Sequence, residues 1–297
     1  MNVKQMLMNA SEPIINPITK AVLKKHYNRS LELSEPGPYK RVVVFAPHMD
    51  DETIGAGGTI RRHLQEGAEV HCIFSTDGAS SESELPKEEL SRMRKEEMEK
   101  VNTILHMHSI RYMDLPDGQV ESNAHSQGLL LELLKEIDPD LIYCTPFVDA
   151  HPDHVATGAI LADTLQLWNK EDVTVRLYEI NCPIPPDEIN CVIDITSTYD
   201  TKKKAIDKFS SQVIAFDGFL ALNRLKKNLV NDGAVKAAEA FIELSEDEFI
   251  KQYDALRQKN YAYHEIFKQA NRTVTLLWAI YKNYPQKKQM YQERLLQ

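Results

Sequence analysis

The sequence predicts an α/β fold with a mostly parallel sheet. Between residues 41 and 195, short runs rich in β-branched residues alternate with longer amphipathic segments, a pattern typical of βαβ units with right-handed crossovers. The chain has 297 residues, of which 42% are hydrophobic and 27% charged, so it has enough apolar side chains for one large domain with a core.

The predicted elements follow one another in regular order. The strands are short apolar runs at Arg41–Ala46, Glu69–Ser75, Ile110–Met113, Asp140–Thr145, Val173–Ile180 and Cys191–Ile195. Helices are predicted between them at Thr59–Glu66, Glu88–Met107, Gln127–Ile137 and Val155–Trp168. Past Ser197 the pattern becomes mainly helical, with helices expected over about Thr198–Val213 and through Ala234–Ile250. We therefore expect a three-layer, Rossmann-like arrangement of helices around the sheet.

Two terminal segments differ from this pattern. Residues 1–38 contain several prolines and a basic stretch, and are predicted to form an N-terminal arm with one amphipathic helix. Residues 251–297 are rich in Tyr, Lys and Gln, and are predicted to form a helical extension packed on the domain of residues 39–250. The aromatic side chains of this extension either pack on the body or form the subunit contact of a homo-oligomer, and both alternatives stay open.

Charge and composition exclude several classes of protein. The net charge of −9 would repel an extended phosphate backbone, so we expect no nucleic-acid partner. The four cysteines are widely spaced and form no C-x-x-C pair, which predicts buried thiols in a reducing compartment. The N-terminus lacks a secretory signal and no apolar run approaches the length of a spanning helix, so we expect a soluble, cytoplasmic protein.

The candidate catalytic and metal-binding side chains lie in two short segments. Residues 46–52 follow the first strand and residues 149–154 follow the strand at 140–145; together they contain three histidines, four aspartates and one glutamate. Both segments come after the carboxyl ends of strands, where ligands of parallel sheets bind. We therefore expect the two segments to meet at one edge of the sheet.

This set of side chains is typical of a catalytic metal site. Zinc takes imidazole and carboxylate ligands, and a catalytic zinc keeps three protein ligands and one open position. Adjacent Asp50 and Asp51 can divide the work of ligand and proton carrier. His151, three residues before His154, can lean over a substrate carbonyl, and Pro152 favours an extended backbone at His151 and a helix after it.

With these motifs the chain resembles the PIG-L/LmbE family of metal-dependent N-deacetylases, whose signature is a (P/A)HPDDE segment followed about a hundred residues later by HPDH. The resemblance covers roughly residues 41–245 and includes further matches in the family's order. They are Thr76-Asp77-Gly78, Arg94 to Glu97, Leu115 to Gly118, the helix from Asp194 to Gln212, and Ala238 to Phe241.

The resemblance implies a role for each site residue. His48, Asp51 and His154 would bind zinc, although Fe²⁺ also suits such a ligand set. Asp50 would be the general base, His151 would polarise the carbonyl, and Asp153 would orient or charge the His151 imidazole. Asp77, Arg94 and Asp117 are predicted substrate contacts; for Arg94 a salt bridge within its helix is the alternative.

The chain departs from the family pattern at Met49, where the family usually has proline, and at His106, where a glycine often follows the helix. Gly55-Ala-Gly57-Gly58 is not a dinucleotide-binding motif because Ile60 occupies the position of the third glycine. We interpret these glycines as allowing close packing behind the metal loop.

The resemblance implies hydrolysis of an acetyl group from an N-acetylglucosamine-like sugar or glycoconjugate. Two alternatives stay open: hydrolysis of a non-sugar N-acyl metabolite, and a catalytically silent metal-binding member.

Overall fold

The computed structural model describes residues 3–80, 85–170, 172–211, 214–259 and 261–293. Its strands are β1 (Arg41–Ala46), β2 (Glu69–Thr76), β3 (Ser109–Leu115), β4 (Leu141–Cys144), β5 (Thr174–Tyr178), β6 (Cys191–Asp194) and β7 (Ala238–Ser245). They form one sheet in the order β3-β2-β1-β4-β5-β7-β6. The first five positions of this order are parallel, whereas β7 is antiparallel to both of its neighbours.

The larger helices of the domain are α1 (Val3–His26), α2 (Asp51–Gln65), α3 (Lys87–Leu105), α4 (Ala124–Ile137), α5 (Pro152–Trp168), α6 (Tyr199–Ile206), α7 (Asp217–Lys226) and α8 (Glu246–Arg257). Helices α2, α3 and α6 contact one another, and α4, α5 and α8 form a second group. The predicted α/β fold with helices on both sides of a mostly parallel sheet is confirmed.

The C-terminal part contains shorter helices, α9 (Tyr263–Ile266), α10 (Leu276–Tyr281) and α11 (Tyr284–Gln292), and a 3₁₀ turn at Thr273–Thr275. Helix α1 contacts this turn, α7 and α10. The division of the chain into an arm, a domain and an extension stays a prediction. No helix among the described ranges is long and apolar enough to cross a bilayer.

Two sequence predictions fail after Ser197. Residues 238–245, predicted to be helical, form strand β7, because pairing with β5 and β6 outweighs the helix preference of their Ala, Glu and Leu side chains. The helix predicted over Thr198–Val213 extends only from Tyr199 to Ile206; Gln212 and Val213 lie outside the described residues.

The strand order reverses between β1 and β4. These two strands are neighbours, with Val42 opposite Leu141 and Val44 opposite Tyr143, but the chain continues from β1 toward one edge of the sheet and from β4 toward the other. Ligands of open α/β sheets bind in the crevice at such a switch point. The segments after β1 and β4 are the two that carry the predicted metal-site residues.

Candidate metal centre

The first motif forms the turn from β1 into α2. Asp51 and Glu52 begin the helix, where acidic side chains are favoured by the helix dipole. Asp50 precedes it with a φ of 154°, a strained value for a residue other than glycine. The Asp50 amide donates hydrogen bonds to the His48 carbonyl (3.1 Å) and to Glu52 Oε2 (3.1 Å), which helps to hold this conformation.

The second motif forms the entry to α5. His151 is extended, with φ −111° and ψ 127°, and Pro152 is the first residue of the helix, as the sequence predicts. His151 Nδ1 accepts a hydrogen bond from the Asp153 amide (3.2 Å). His154 follows in the first turn and is almost fully buried.

The structure brings His48, Asp51 and His154 together. Asp51 Oδ2 lies 3.2 Å from His48 Nδ1 and 3.3 Å from His154 Nε2. Ligands of a tetrahedral zinc ion with bonds of 2.0–2.2 Å lie roughly 3.3–3.6 Å apart, so the two distances from Asp51 are close to those of zinc ligands. His48, His151 and His154 also offer ring nitrogens within 4.8 Å of one another, as do donor atoms of His48, Asp117 and Asp153.

The field of the site favours positive charge at its centre. Burial acts to lower the pKa of His154, but Asp51 and Asp149 raise it above its ordinary value. The pKa of His48 is likewise raised by Asp117, Asp153 and Asp51 against the effect of burial. Carboxylates therefore surround both imidazoles, an arrangement that a bound cation would neutralise.

Asp50 differs from Asp51 in its electrostatic environment. Burial, followed by the charge of Asp51, raises the pKa of Asp50 to about 7. Burial also disfavours the charged form of Asp51, yet His154 and His48 lower its pKa below the ordinary value. The neighbouring carboxyl groups thus have distinct tendencies to hold a proton.

His151 and Asp153 are oriented by different partners. Burial and the nearby imidazoles of His154 and His48 lower the pKa of His151 to about 4. The Asp153 carboxylate lies 3.3 Å from His48 Nε2 and accepts a hydrogen bond from the Gly118 amide (2.7 Å). The backbone amide of Asp153 donates to His151 Nδ1. The charge of Asp153 still acts to raise the His151 pKa.

The predicted substrate contacts occupy different positions around a cavity of about 350 Å³. Arg94 and Asp117 line it, whereas Asp77 is not among its lining residues. Arg94 is buried and donates to the carbonyls of Gly78 (3.0 Å) and Met49 (3.5 Å). Asp117 Oδ1 lies 3.2 Å from His48 Nε2, and Asp77 Oδ1 accepts the amides of Ala79 and Asp117.

Several residues of the site have no predicted role, either within the second motif, as Asp149, or in segments outside both motifs. Asp149, fully buried, lies with Oδ1 3.3 Å from His154 Nδ1 and accepts the His151 amide (2.8 Å). The Asn181 amide and side chain donate to the same carboxylate at 3.1 and 3.2 Å. Asn181 lines the cavity together with residues from distant parts of the chain, namely Ile214, Phe219, Gln269 and Asn271.

The glycines of α2 allow close packing, as the sequence predicts. A Cβ atom at Gly55 would lie 2.2 Å from the Tyr178 ring, and one at Gly58 would lie 2.7 Å from Ile195. Met49 is fully buried, and its Cε would lie 2.6 Å from a Cβ atom at Gly78. It therefore packs behind the loops that surround the site.

Residues 43–165 match the PIG-L family model, described as GlcNAc-PI de-N-acetylase. The chain contains a PIG-L/LmbE-like domain. A diacetylchitobiose deacetylase from Thermococcus kodakarensis is 25% identical over 202 residues, which is 61% of this chain and 73% of that protein.

Solved structures share the fold of this PIG-L/LmbE-like domain. The N,N'-diacetylchitobiose deacetylase from Pyrococcus horikoshii has a TM-score of 0.64 and 24% identity, over 80% of this chain and 94% of that one. A 4-carboxy-2-hydroxymuconate hydratase from Pseudomonas putida has a TM-score of 0.58 and 19% identity, over 69% of this chain and 96% of that one. The same fold therefore occurs in proteins described as deacetylase and as hydratase.

Proposed function

We propose that the chain is a metal-dependent hydrolase that removes the acetyl group from an N-acetylglucosamine-like sugar or glycoconjugate. The observation that carries the proposal is the meeting of His48, Asp51 and His154 at the strand switch point, with Asp50 and His151 lining the same cavity. We infer the substrate class from the sequence matches to the PIG-L model and to the diacetylchitobiose deacetylase. The shared fold alone does not indicate it, because a hydratase has the same fold.

His48, Asp51 and His154 would hold the ion, with zinc as our first choice and Fe²⁺ as the alternative. A bound ion of this kind activates water and polarises the amide carbonyl. Asp50 would take the proton of the attacking water and pass it to the leaving amine. It lines the cavity and is adjacent to Asp51, so it reaches the reaction centre without being needed as a ligand.

His151 would stabilise the oxyanion. In the neutral imidazole only one nitrogen carries the proton. Because Nδ1 accepts the Asp153 amide, the proton lies on Nε2, which can then donate to the carbonyl oxygen. Asp153 and Asp149 fix the orientation of this histidine through its Nδ1 atom and its backbone amide.

The test is acetate release by the zinc-loaded protein across N-acetylglucosamine, N,N'-diacetylchitobiose and N-acetyl amino acids. We expect turnover of the amino sugars, and a loss of at least about 100-fold in kcat for Asp50→Asn with the zinc content unchanged. Turnover confined to non-sugar amides would contradict the substrate class. Full activity of Asp50→Asn would contradict its role as the base.

A further inference from the structure

A segment near the C-terminus forms one wall of the candidate metal cavity. Gln269 and Asn271 line this cavity together with Asp50 and His151. Both lie more than one hundred residues beyond the end of the match to the PIG-L model at residue 165. We call residues 267–273 the wall segment.

Backbone hydrogen bonds fix the wall segment relative to the site. The Ala270 amide donates to the Asn181 carbonyl (3.1 Å), and the Asn271 carbonyl accepts the Gly218 amide (3.0 Å). Asn181 in turn binds the Asp149 carboxylate, which contacts His154. A chain of direct contacts therefore runs from the wall segment to a proposed metal ligand.

The first turn of α7 is shaped to receive this segment. A Cβ atom at Gly218 would lie 2.3 Å from the Ala270 carbonyl oxygen and 2.7 Å from the Arg272 nitrogen, both backbone atoms. The adjacent Asp217 carboxylate accepts the Thr273 amide at 2.9 Å. The close approach requires glycine at position 218, so the position of the wall segment is built into the fold.

The two amide side chains have free hydrogen-bonding capacity. Ala270 is fully buried, whereas its neighbours Gln269 and Asn271 are only half-buried and face the cavity. Within the described part of the chain, neither side-chain amide has a hydrogen-bond partner. Each offers two donors and one acceptor, which suits hydroxyl groups that both donate and accept.

We propose that Gln269 and Asn271 form a binding subsite for the hydroxyl-bearing ring of the substrate. This inference rests on the proposed function, because it places the amide of an N-acetyl sugar at the metal and its ring against the wall segment. The subsite is a specificity determinant: it recognises ring hydroxyls and takes no part in proton transfer.

The first test is equilibrium binding of N-acetylglucosamine to the zinc-loaded Asp50→Asn protein, measured by calorimetry or ligand-observed NMR. Adding Gln269→Ala or Asn271→Ala is expected to raise the Kd about 3- to 10-fold, as for the loss of one or two hydrogen bonds. The matched controls are Gln258→Ala and Asn231→Ala, which remove exposed amides outside the cavity. They should leave the Kd unchanged.

The second test displaces the backbone of the wall segment. Gly218→Ala keeps α7 helical but forces residues 270–272 away, so the Kd should rise by about 10-fold or more while the circular dichroism spectrum is retained. Gly128→Ala in α4 is the control, because a Cβ atom there would meet nothing within 4 Å.

The outcomes separate the two proposals. Acetate release from amino sugars combined with an unchanged Kd in Gln269→Ala and Asn271→Ala would overturn the subsite and leave the proposed function standing. Weakened sugar binding in these variants without any acetate release by the wild-type protein would support the subsite and overturn the proposed function. Failure of the Asp50→Asn protein to bind the sugar would overturn the subsite.

Discussion

Asp149 connects the proposed ligand His154 to the rest of the site. Its carboxylate contacts His154 Nδ1, accepts the His151 amide and binds both nitrogens of Asn181. A carboxylate on the distal nitrogen of a metal-binding imidazole fixes the orientation of the ring and makes it a stronger donor. Asp149 is thus suited to orient the His154 ring for metal binding without being a metal ligand itself.

We predict that Asp149→Ala lowers the affinity for zinc about 10- to 100-fold, because His154 loses its orienting partner. The measurement is a zinc titration in competition with a chromophoric chelator. Asp149→Asn, which keeps an acceptor oxygen, should lose less affinity, and Asp114→Ala removes an exposed carboxylate that pairs with Lys95 and serves as the control. Equal zinc affinities in all four proteins would exclude an orienting role.

The sequence identified some residues of this site and not others for a physical reason. His48 and His154 could be predicted because metal chemistry needs particular side chains and the strand pattern brings their loops to one edge. The role of Asp149 depends on the position of Asn181, and Gln269 reaches the cavity only through packing of the wall segment. Such contacts between distant segments have no local sequence signal.

A buried ion pair joins β7, α6 and α2. Lys202 Nζ lies 2.6 Å from Glu239 Oε1 and donates to the Ile54 carbonyl, while Glu239 accepts the amides of Gly58 and Thr59 within α2. Both side chains of the pair are at most 1% exposed. The pair therefore binds backbone groups of α2, the helix that begins with Asp51.

We predict that Lys202→Met lowers the free energy of unfolding by about 3–5 kcal/mol, because it leaves a buried carboxylate without its partner. The double variant Lys202→Met/Glu239→Leu should be less destabilised than the sum of its single changes. Lys203→Met is the matched control: its exposed pair with Asp207 should contribute less than about 1 kcal/mol. Urea unfolding of the wild type and of the four variants, including Glu239→Leu alone, measures these differences. Similar losses for Lys202→Met and Lys203→Met would contradict the role of the buried pair.

Glu239 also helps to explain why a helix is wrongly predicted from the sequence at β7. Ala238-Glu-Ala-Phe-Ile-Glu-Leu contains good helix formers, so local preference predicts a helix. The strand is stabilised by its two antiparallel neighbours, and it places the Glu239 carboxylate where amides of α2 and Lys202 of α6 satisfy it. Parallel strands such as β1 could be predicted from their continuous β-branched runs, whereas this inserted strand depends on pairing with residues far away in the chain.

The two ends of the described chain pack on each other. Helix α1 contacts α7, the turn at Thr273–Thr275 and α10. Leu23 and Tyr27 of this region are fully buried, and the Tyr281 hydroxyl lies 3.2 Å from His26 Nδ1. The turn follows the wall segment directly in the chain. We therefore expect the packing of α1 on the turn to help to hold the wall segment in place.

This packing predicts that a substitution in α1 destabilises the C-terminal part as well. Leu23→Ala should lower the free energy of unfolding by about 2–5 kcal/mol, because it leaves a cavity in a fully buried position. Val22→Ala, at a neighbouring position that is 38% exposed, should cost far less. Hydrogen exchange followed by mass spectrometry should show faster exchange in residues 273–281 for Leu23→Ala alone.

The position of that faster exchange decides between two views of α1. If Leu23→Ala accelerates exchange in α1 and in residues 273–281 together, the two ends form one cooperative unit that holds the wall segment in place. Faster exchange confined to α1, with unchanged protection in residues 273–281, would mean that α1 opens independently. The position of Gln269 and Asn271 would then depend on Gly218 and Asn181 without support from α1.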